Sequence, residues 1–168
     1  LNHKGNQIGN SIKEENCEKI IEEIFETSKQ HSCSITYPID VLVGKNLNSV
    51  SKAKELNEID EDDLILDIGP KTINAIKKVI ENSETVLWNG PAGYFENPNF
   101  ANGSYEIAKA IIKKNKNKSI YSVVGGGDTI ALINKIKAIK DFNFVSTAGG
   151  AFLEYLEGKD LPGIKALS

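Results

Sequence analysis

From Leu64 to Glu157 the chain repeats one pattern four times, and this repetition limits the possible folds more than any other feature. A short β-branched or aliphatic run is followed by a glycine-bearing turn and then by a segment of helical period. The runs are Leu64–Asp67, Thr85–Trp88, Ser119–Val124 and Phe142–Ser146. The helical segments are Thr72–Asn82, Ser104–Lys114, Thr129–Ile139 and Ala151–Glu157. Ile73, Ile76, Val79 and Ile80 share one face of the first helix, and Ile107, Ala108 and Ile111 one face of the second. Strands alternating with helices imply parallel βαβ units in a three-layer α/β/α fold with a Rossmann-like sheet. Right-handed crossovers bring the carboxyl ends of such strands to one edge. Ile68–Lys71, Asn89–Gly93, Gly125–Thr129 and Thr147–Gly150 are therefore expected along one rim, where open α/β sheets bind ligands.

The densest of these turns is Tyr121-Ser-Val-Val-Gly-Gly-Gly-Asp-Thr129. Glycines let the backbone approach a ligand closely, and the first free N–H groups of a helix point at an anion. Asp128 cannot attract a phosphate itself. Its natural task beside one is to hold a divalent cation. The pattern predicts a nucleotide or phosphorylated-substrate site, and tight turns without ligand are the bland alternative.

The first sixty residues are less regular. Leu1–Asn10 reads as a loop. Ser11-Ile-Lys-Glu14 has the form of a capping box, predicting a helix from there to about Gln30 with Cys17, Ile20, Ile21 and Ile24 inward. Ser34–Val43 reads as extended chain broken by Pro38, Gly44–Val50 as a loop, and Glu58–Asp63 as a solvated acidic connection, not a metal site. Gly158 is expected to end the last helix, and Leu161-Pro-Gly163 to close the chain against the body.

Composition removes several classes. With 168 residues, 40% hydrophobic and 26% charged, the chain is large enough for one globular core. A net charge of −3 argues against nonspecific nucleic-acid binding. No apolar run is long enough to span a membrane, and no signal peptide is recognisable. Cys17 and Cys33 are too few and badly spaced for a disulfide framework or a zinc site, and fit a reducing cytoplasm. All basic residues are lysine; arginine, which phosphoryl-transfer sites commonly use for bidentate contacts, does not occur. The chain opens without methionine and contains none, so a fragment or processed product is expected.

Four stretches together resemble the phosphoglycerate kinases: Leu66-Asp-Ile-Gly-Pro-Lys71, Leu87-Trp-Asn-Gly-Pro-Ala-Gly-Tyr-Phe-Glu96, Val124-Gly-Gly-Gly-Asp-Thr129 and Ser146-Thr-Ala-Gly-Gly-Ala-Phe-Leu-Glu-Tyr-Leu-Glu-Gly158. Ile8-Gly-Asn-Ser11, Pro38-Ile-Asp40 and Leu161-Pro-Gly163 extend the resemblance to essentially the whole chain. It implies that residues 1–168 are most of the carboxy-terminal nucleotide-binding lobe of a bilobal kinase, a partial domain without the phosphoglycerate lobe and its catalytic arginine.

By that resemblance Leu66 and Tyr94 line the adenine pocket and Glu96 holds the ribose hydroxyls. Asn89, Gly90 and Pro91 form a loop near the nucleotide phosphates. Gly126 and Gly127 offer backbone N–H groups, Asp128 binds magnesium and Thr129 contacts phosphate oxygens. Gly149 and Gly150 form a second anion-binding helix start, with Gly127 and Gly150 as the catalytic positions. Ala148 stands where many members carry a third glycine, and the family's phosphate-touching lysines lie outside this sequence, so no lysine here is given a catalytic role. The implied reaction is reversible phosphoryl transfer between 1,3-bisphosphoglycerate and MgADP, giving 3-phosphoglycerate and MgATP, in glycolysis and gluconeogenesis. The chain would be inactive alone, and its parent a cytoplasmic monomer without nucleic-acid or membrane partners. A nucleotide-binding module without catalysis and an α/β domain with empty loops are the competing readings. Loss of neighbouring strands would expose a sheet edge or core face and invite self-association.

Overall fold

The computed structural model describes residues 1–167, which divide into two compact units: Leu1–Ala75 with Gly93–Gly103, and Ile76–Ala92 with residues 104–167. The division falls inside helices α2 (Pro70–Glu81) and α3 (Asn102–Lys116).

The first unit holds helix α1 (Glu18–Gln30) and strands β1 (Asp40–Gly44), β2 (Lys52–Glu55) and β3 (Leu64–Ile68). They form an antiparallel sheet in the order β2-β1-β3. This corrects the expectation that Leu64–Asp67 belongs to a parallel sheet. Asp67 stands opposite Leu42, Ile65 opposite Val43, and the register shifts between those two pairs. An apolar run before a helix looks the same whichever strand it pairs with, so its direction was not readable locally. Val41, Val43 and Ile59 form the core, with Leu1, Leu56 and Ile65 packed on it. Phe100 is fully buried.

The capping box at Ser11 does not form. Helix α1 begins at Glu18 with no side-chain cap, after Asn16 adopts a positive φ of 58°. The Ser11 hydroxyl instead accepts the Ile65 N–H at 2.8 Å, and Asn10 N–H donates to the Asp63 carbonyl at 2.8 Å. These bonds tie the amino-terminal segment to the start of β3. Helix α1 buries no residue, so Ile20 and Ile24 are exposed rather than inward. The acidic run is also not fully solvated. Asp63 is buried, and its carboxylate meets the buried Lys54 ammonium at 2.6 Å and Lys45 at 2.9 Å. Burial alone would raise the Asp63 carboxyl, but the lysine bonds outweigh it and hold it at about 2. Asp60, Asp62 and Asp63 lie close together, and Lys45 and Lys54 are paired with them.

The second unit contains the parallel sheet: β4 (Thr85–Asn89), β5 (Tyr121–Gly125) and β6 (Phe144–Val145), in the order β4-β5-β6. Helices α4 (Gly127–Lys135), α5 (Gly150–Leu156) and α6 (Pro162–Lys165) complete it. Side chains alternate across the sheet. Trp88 and Val124 share one face of the sheet and are buried, with the Phe142 ring against Trp88; Ile107, Ile111, Leu132 and Ile133 are buried in the same unit. Leu87, Tyr121 and Phe144 point the other way and are 45%, 52% and 50% exposed. Val79, expected inward on α2, is exposed as well. Strand β6 is shorter than expected because Phe142 turns inward to a ring contact with Trp88, and the Asn143 side chain accepts the Ser122 N–H at 2.8 Å.

Candidate functional site

In the second unit the loops after β4, β5 and β6 are built against one another. The register sets Asn89 beside Gly125. The Asn89 Oδ1 lies 2.9 Å from where a Cβ on Gly126 would stand and 3.1 Å from one on Gly125, so a side chain at either would displace it. Gly126 also has a φ of 85°, which L side chains rarely adopt. Its loop opens into α4 with no side-chain cap.

Gly90 is held at both ends of its peptide. Its N–H donates to the Thr129 hydroxyl oxygen at 2.7 Å, and its carbonyl accepts the Trp88 indole N–H at 2.8 Å. Thr129 is fully buried, and its hydroxyl keeps one hydrogen to donate. Pro91 is half-buried, and the next N–H, of Ala92, donates to the buried Ser104 hydroxyl at 2.9 Å. The loop after β4 is therefore fixed, not slack.

Helix α4 starts at Gly127, with Asp128 exposed in its first turn. Nothing lies within 4 Å of a Cβ built on Gly127, Gly149 or Gly150, so these backbones face open space. Helix α5 is also entered from a glycine, Gly149 at φ 58°, with no side-chain cap. Its Phe152 ring packs on Gly125, 2.7 Å from a Cβ position there, and so ties the α5 start to the α4 start. Two uncapped helix ends on one parallel sheet edge can take anions through free N–H groups and dipole.

The loop Ile68–Lys71 has no such opening, which corrects its expected place on the rim. The start of α2 is already occupied by the buried Asp40 carboxylate. That group accepts the Lys71 N–H at 2.9 Å, the Thr72 N–H at 2.7 Å and the Thr72 hydroxyl at 2.7 Å. Burial works against ionised Asp40, but these bonds hold its carboxyl below the ordinary range. The Lys71 ammonium pairs with Glu55 at 2.6 Å on the surface.

The remaining expected residues belong to the first unit. Leu66 is half-buried on β3, and its carbonyl accepts the Tyr94 N–H at 2.7 Å. Tyr94 is half-buried, Phe95 buried and Glu96 exposed. Between Leu66 and Ile68 stands Asp67, 2% exposed, which sequence reasoning passed over. Its Oδ1 accepts the Ile68 N–H at 2.8 Å and its Oδ2 the Gly103 N–H at 2.8 Å. Burial pushes this carboxyl up to about 6, and the two N–H donors offset only part of that. The readable signal was a charged residue inside the apolar run Leu64-Ile-Leu-Asp-Ile68. Phe152 and Ser104 were also missed, because nothing in the sequence marks a contact so far along the chain.

Comparison with known proteins fits this geometry. The family profile described as phosphoglycerate kinase matches residues 1–159. The phosphoglycerate kinase of Azorhizobium caulinodans is 41% identical over 98% of this chain and 42% of its own length. That of Zymomonas mobilis is 42% identical over the same shares. Among solved structures, phosphoglycerate kinase from Coxiella burnetii superposes with a TM-score of 0.92 at 36% identity, covering 100% of this chain and 43% of that one. The Pyrococcus horikoshii enzyme gives 0.71 at 28% identity, covering 98% of this chain and 41% of that one. The chain spans 42% of the length of the curated relatives it matches. On the profile match over nearly its full length, the chain belongs to the phosphoglycerate kinase family.

Proposed function

We propose that this chain carries the nucleotide side of a phosphoglycerate kinase, in which a phosphoryl group passes reversibly between 1,3-bisphosphoglycerate and MgADP to give 3-phosphoglycerate and MgATP. The observation that carries the reading is the pair of uncapped, glycine-opened helix starts after β5 and β6. Direct phosphoryl transfer needs positioning and charge stabilisation rather than a protein nucleophile. The N–H groups of Gly126 and Gly127 hold nucleotide phosphate oxygens. Those of Gly149 and Gly150 face the group in transfer, so Gly127 and Gly150 are the positions nearest the chemistry. Thr129, fully buried, accepts the Gly90 N–H and so fixes the loop that faces the phosphates. Asn89, Gly90 and Pro91 form the fixed wall of the phosphate loop.

The donor set fits magnesium. That ion is commonly held by one or two carboxylates, with water and substrate phosphates completing its shell, and Asp128 is one exposed carboxylate at the α4 start. Bound there, it supplies neutralisation of phosphate charge. In the first unit, Leu66 and Tyr94 are assigned to the adenine and Glu96 to the ribose hydroxyls, on the match of their motifs to the family. Any guanidinium contact would come from outside these residues, since they include no arginine. We assign the complete polypeptide to the cytoplasm, as a monomer with no nucleic-acid or membrane partner.

Titration with MgADP, followed by the fluorescence of Trp88, tests the binding half. A saturable change that disappears without magnesium is expected, and Asp128→Ala should weaken affinity roughly tenfold. Equal affinity in variant and wild type would refute the role of Asp128. A coupled assay of the complete polypeptide encoded with this chain tests the activity. Nucleotide binding with no ATP formed from 1,3-bisphosphoglycerate would leave only a binding module.

A further inference from the structure

We infer that Asp67 is a positioning residue for the adenine-facing segment, its carboxylate seating the Gly93–Tyr94 peptide against Leu66. The inference rests on the nucleotide reading above. Oδ1 of Asp67 occupies the space where a Cβ on Gly93 would stand, and also where one on Gly103 would stand, closer in both cases than any real Cβ approaches. The Leu66 carbonyl lies 2.7 Å from the same Gly93 position and accepts the Tyr94 N–H at 2.7 Å. The Gly93–Tyr94 peptide thus rests on two consecutive residues of β3, and both contacts require glycine at 93. Through Oδ2 the same carboxylate holds the Gly103 N–H at the start of α3.

A cap alone does not call for this group. Asparagine, serine and threonine cap helix starts without bringing a charge into the interior. Asp67 keeps its charge buried with only two backbone N–H donors on it, and among the described residues no ammonium is bonded to it. Asp40 and Asp63, the other buried carboxylates of this unit, each take three or more donors, including side-chain hydroxyl or ammonium groups. Two acceptor oxygens on one flat group are what the site uses: one for Ile68, one for Gly103, with an edge free of hydrogen against Gly93. An amide in its place would set an NH2 against a backbone N–H. The displaced peptide is the one that carries Tyr94, so the error is delivered to the wall assigned to the base.

The test compares MgADP with magnesium tripolyphosphate, which offers the phosphates without the base, using wild type, Asp67→Asn and Gly93→Ala. The glycine variant acts through its Cβ alone and keeps the experiment decisive if the asparagine variant does not fold. The MgADP dissociation constant should rise roughly tenfold in each variant, while tripolyphosphate affinity stays within about twofold. Unchanged MgADP affinity would overturn the inference. So would a parallel loss for both ligands, which marks a merely structural role. Wild-type protein that binds neither ligand would overturn the nucleotide reading, and the inference with it.

Discussion

Asp67 should make the first unit less stable as pH rises through neutrality, opposite to an ordinary paired carboxylate. Its carboxyl sits at about 6 in the folded chain against 3.8 for an ordinary aspartate. Folding therefore favours the protonated form. The associated stability is fully present below about pH 4 and is lost as pH rises through about 6. A difference of about two pKa units corresponds to about 3 kcal/mol in total, of which about 2 kcal/mol falls between about pH 4.5 and pH 7. Asp67→Asn does not titrate. Urea unfolding of both proteins at those two pH values, followed by circular dichroism, isolates the contribution. Titrations common to both proteins cancel in the comparison. The wild type should lose about 2 kcal/mol relative to the variant on going to neutral pH, or roughly 1 M in midpoint for an ordinary urea slope. Amide exchange at Val41 and Val43, in the core of the same unit, should follow the same trend. A stability difference that stays constant across pH would refute the argument.

Other outcomes follow from the packing. Phe100→Ala empties a fully buried site beside Gly44 and should cost about 3–5 kcal/mol in unfolding free energy. A loss below about 1 kcal/mol would show that the site collapses. Lys54→Met removes the main ammonium partner of Asp63. An NMR titration should then find the Asp63 carboxyl well above its present value of about 2, and acid unfolding should begin at higher pH; an unmoved titration would assign the effect to Lys45. The exposed row of Leu87, Tyr121 and Phe144 should drive self-association of the isolated chain, reduced by Leu87→Lys with Phe144→Lys. Sedimentation of the wild type as a monomer at all concentrations would count against it.

The second unit was largely legible in the sequence. Its strands alternate with amphipathic helices, and most boundaries of β4, α3, β5 and α5 fall within two residues of those expected, because the apolar runs and helical periods that define them are local. The first unit was not. The partner of β3 lies more than twenty residues earlier in the chain, and its own residues do not record that direction. Ser11 has the spacing of a cap, but its hydroxyl is claimed by Ile65, 54 positions away. Lys54 and Asp63 read as surface charges until their pairing buries both. The glycine loops were found from composition. The groups that hold them in place, Thr129 on Gly90, Phe152 on Gly125 and Asp67 on Gly93, are long-range contacts invisible to local pattern.

The helix starts differ in a way that would tie the proposed nucleotide binding to folding. Helices α2 and α3 have first-turn N–H groups satisfied by carboxylates from the chain itself, Asp40 and Asp67. Helices α4 and α5 have no side-chain cap. A bound phosphate would do for those two what an aspartate does for the others, so part of the secondary structure is completed by the ligand. Saturating nucleotide should then slow amide exchange at Gly127–Thr129 and Gly150–Phe152 while leaving Lys71 and Thr72 unchanged. It should also raise the melting temperature with ligand concentration as linkage requires. On the proposed function, a bound nucleotide would complete the first turns of two helices.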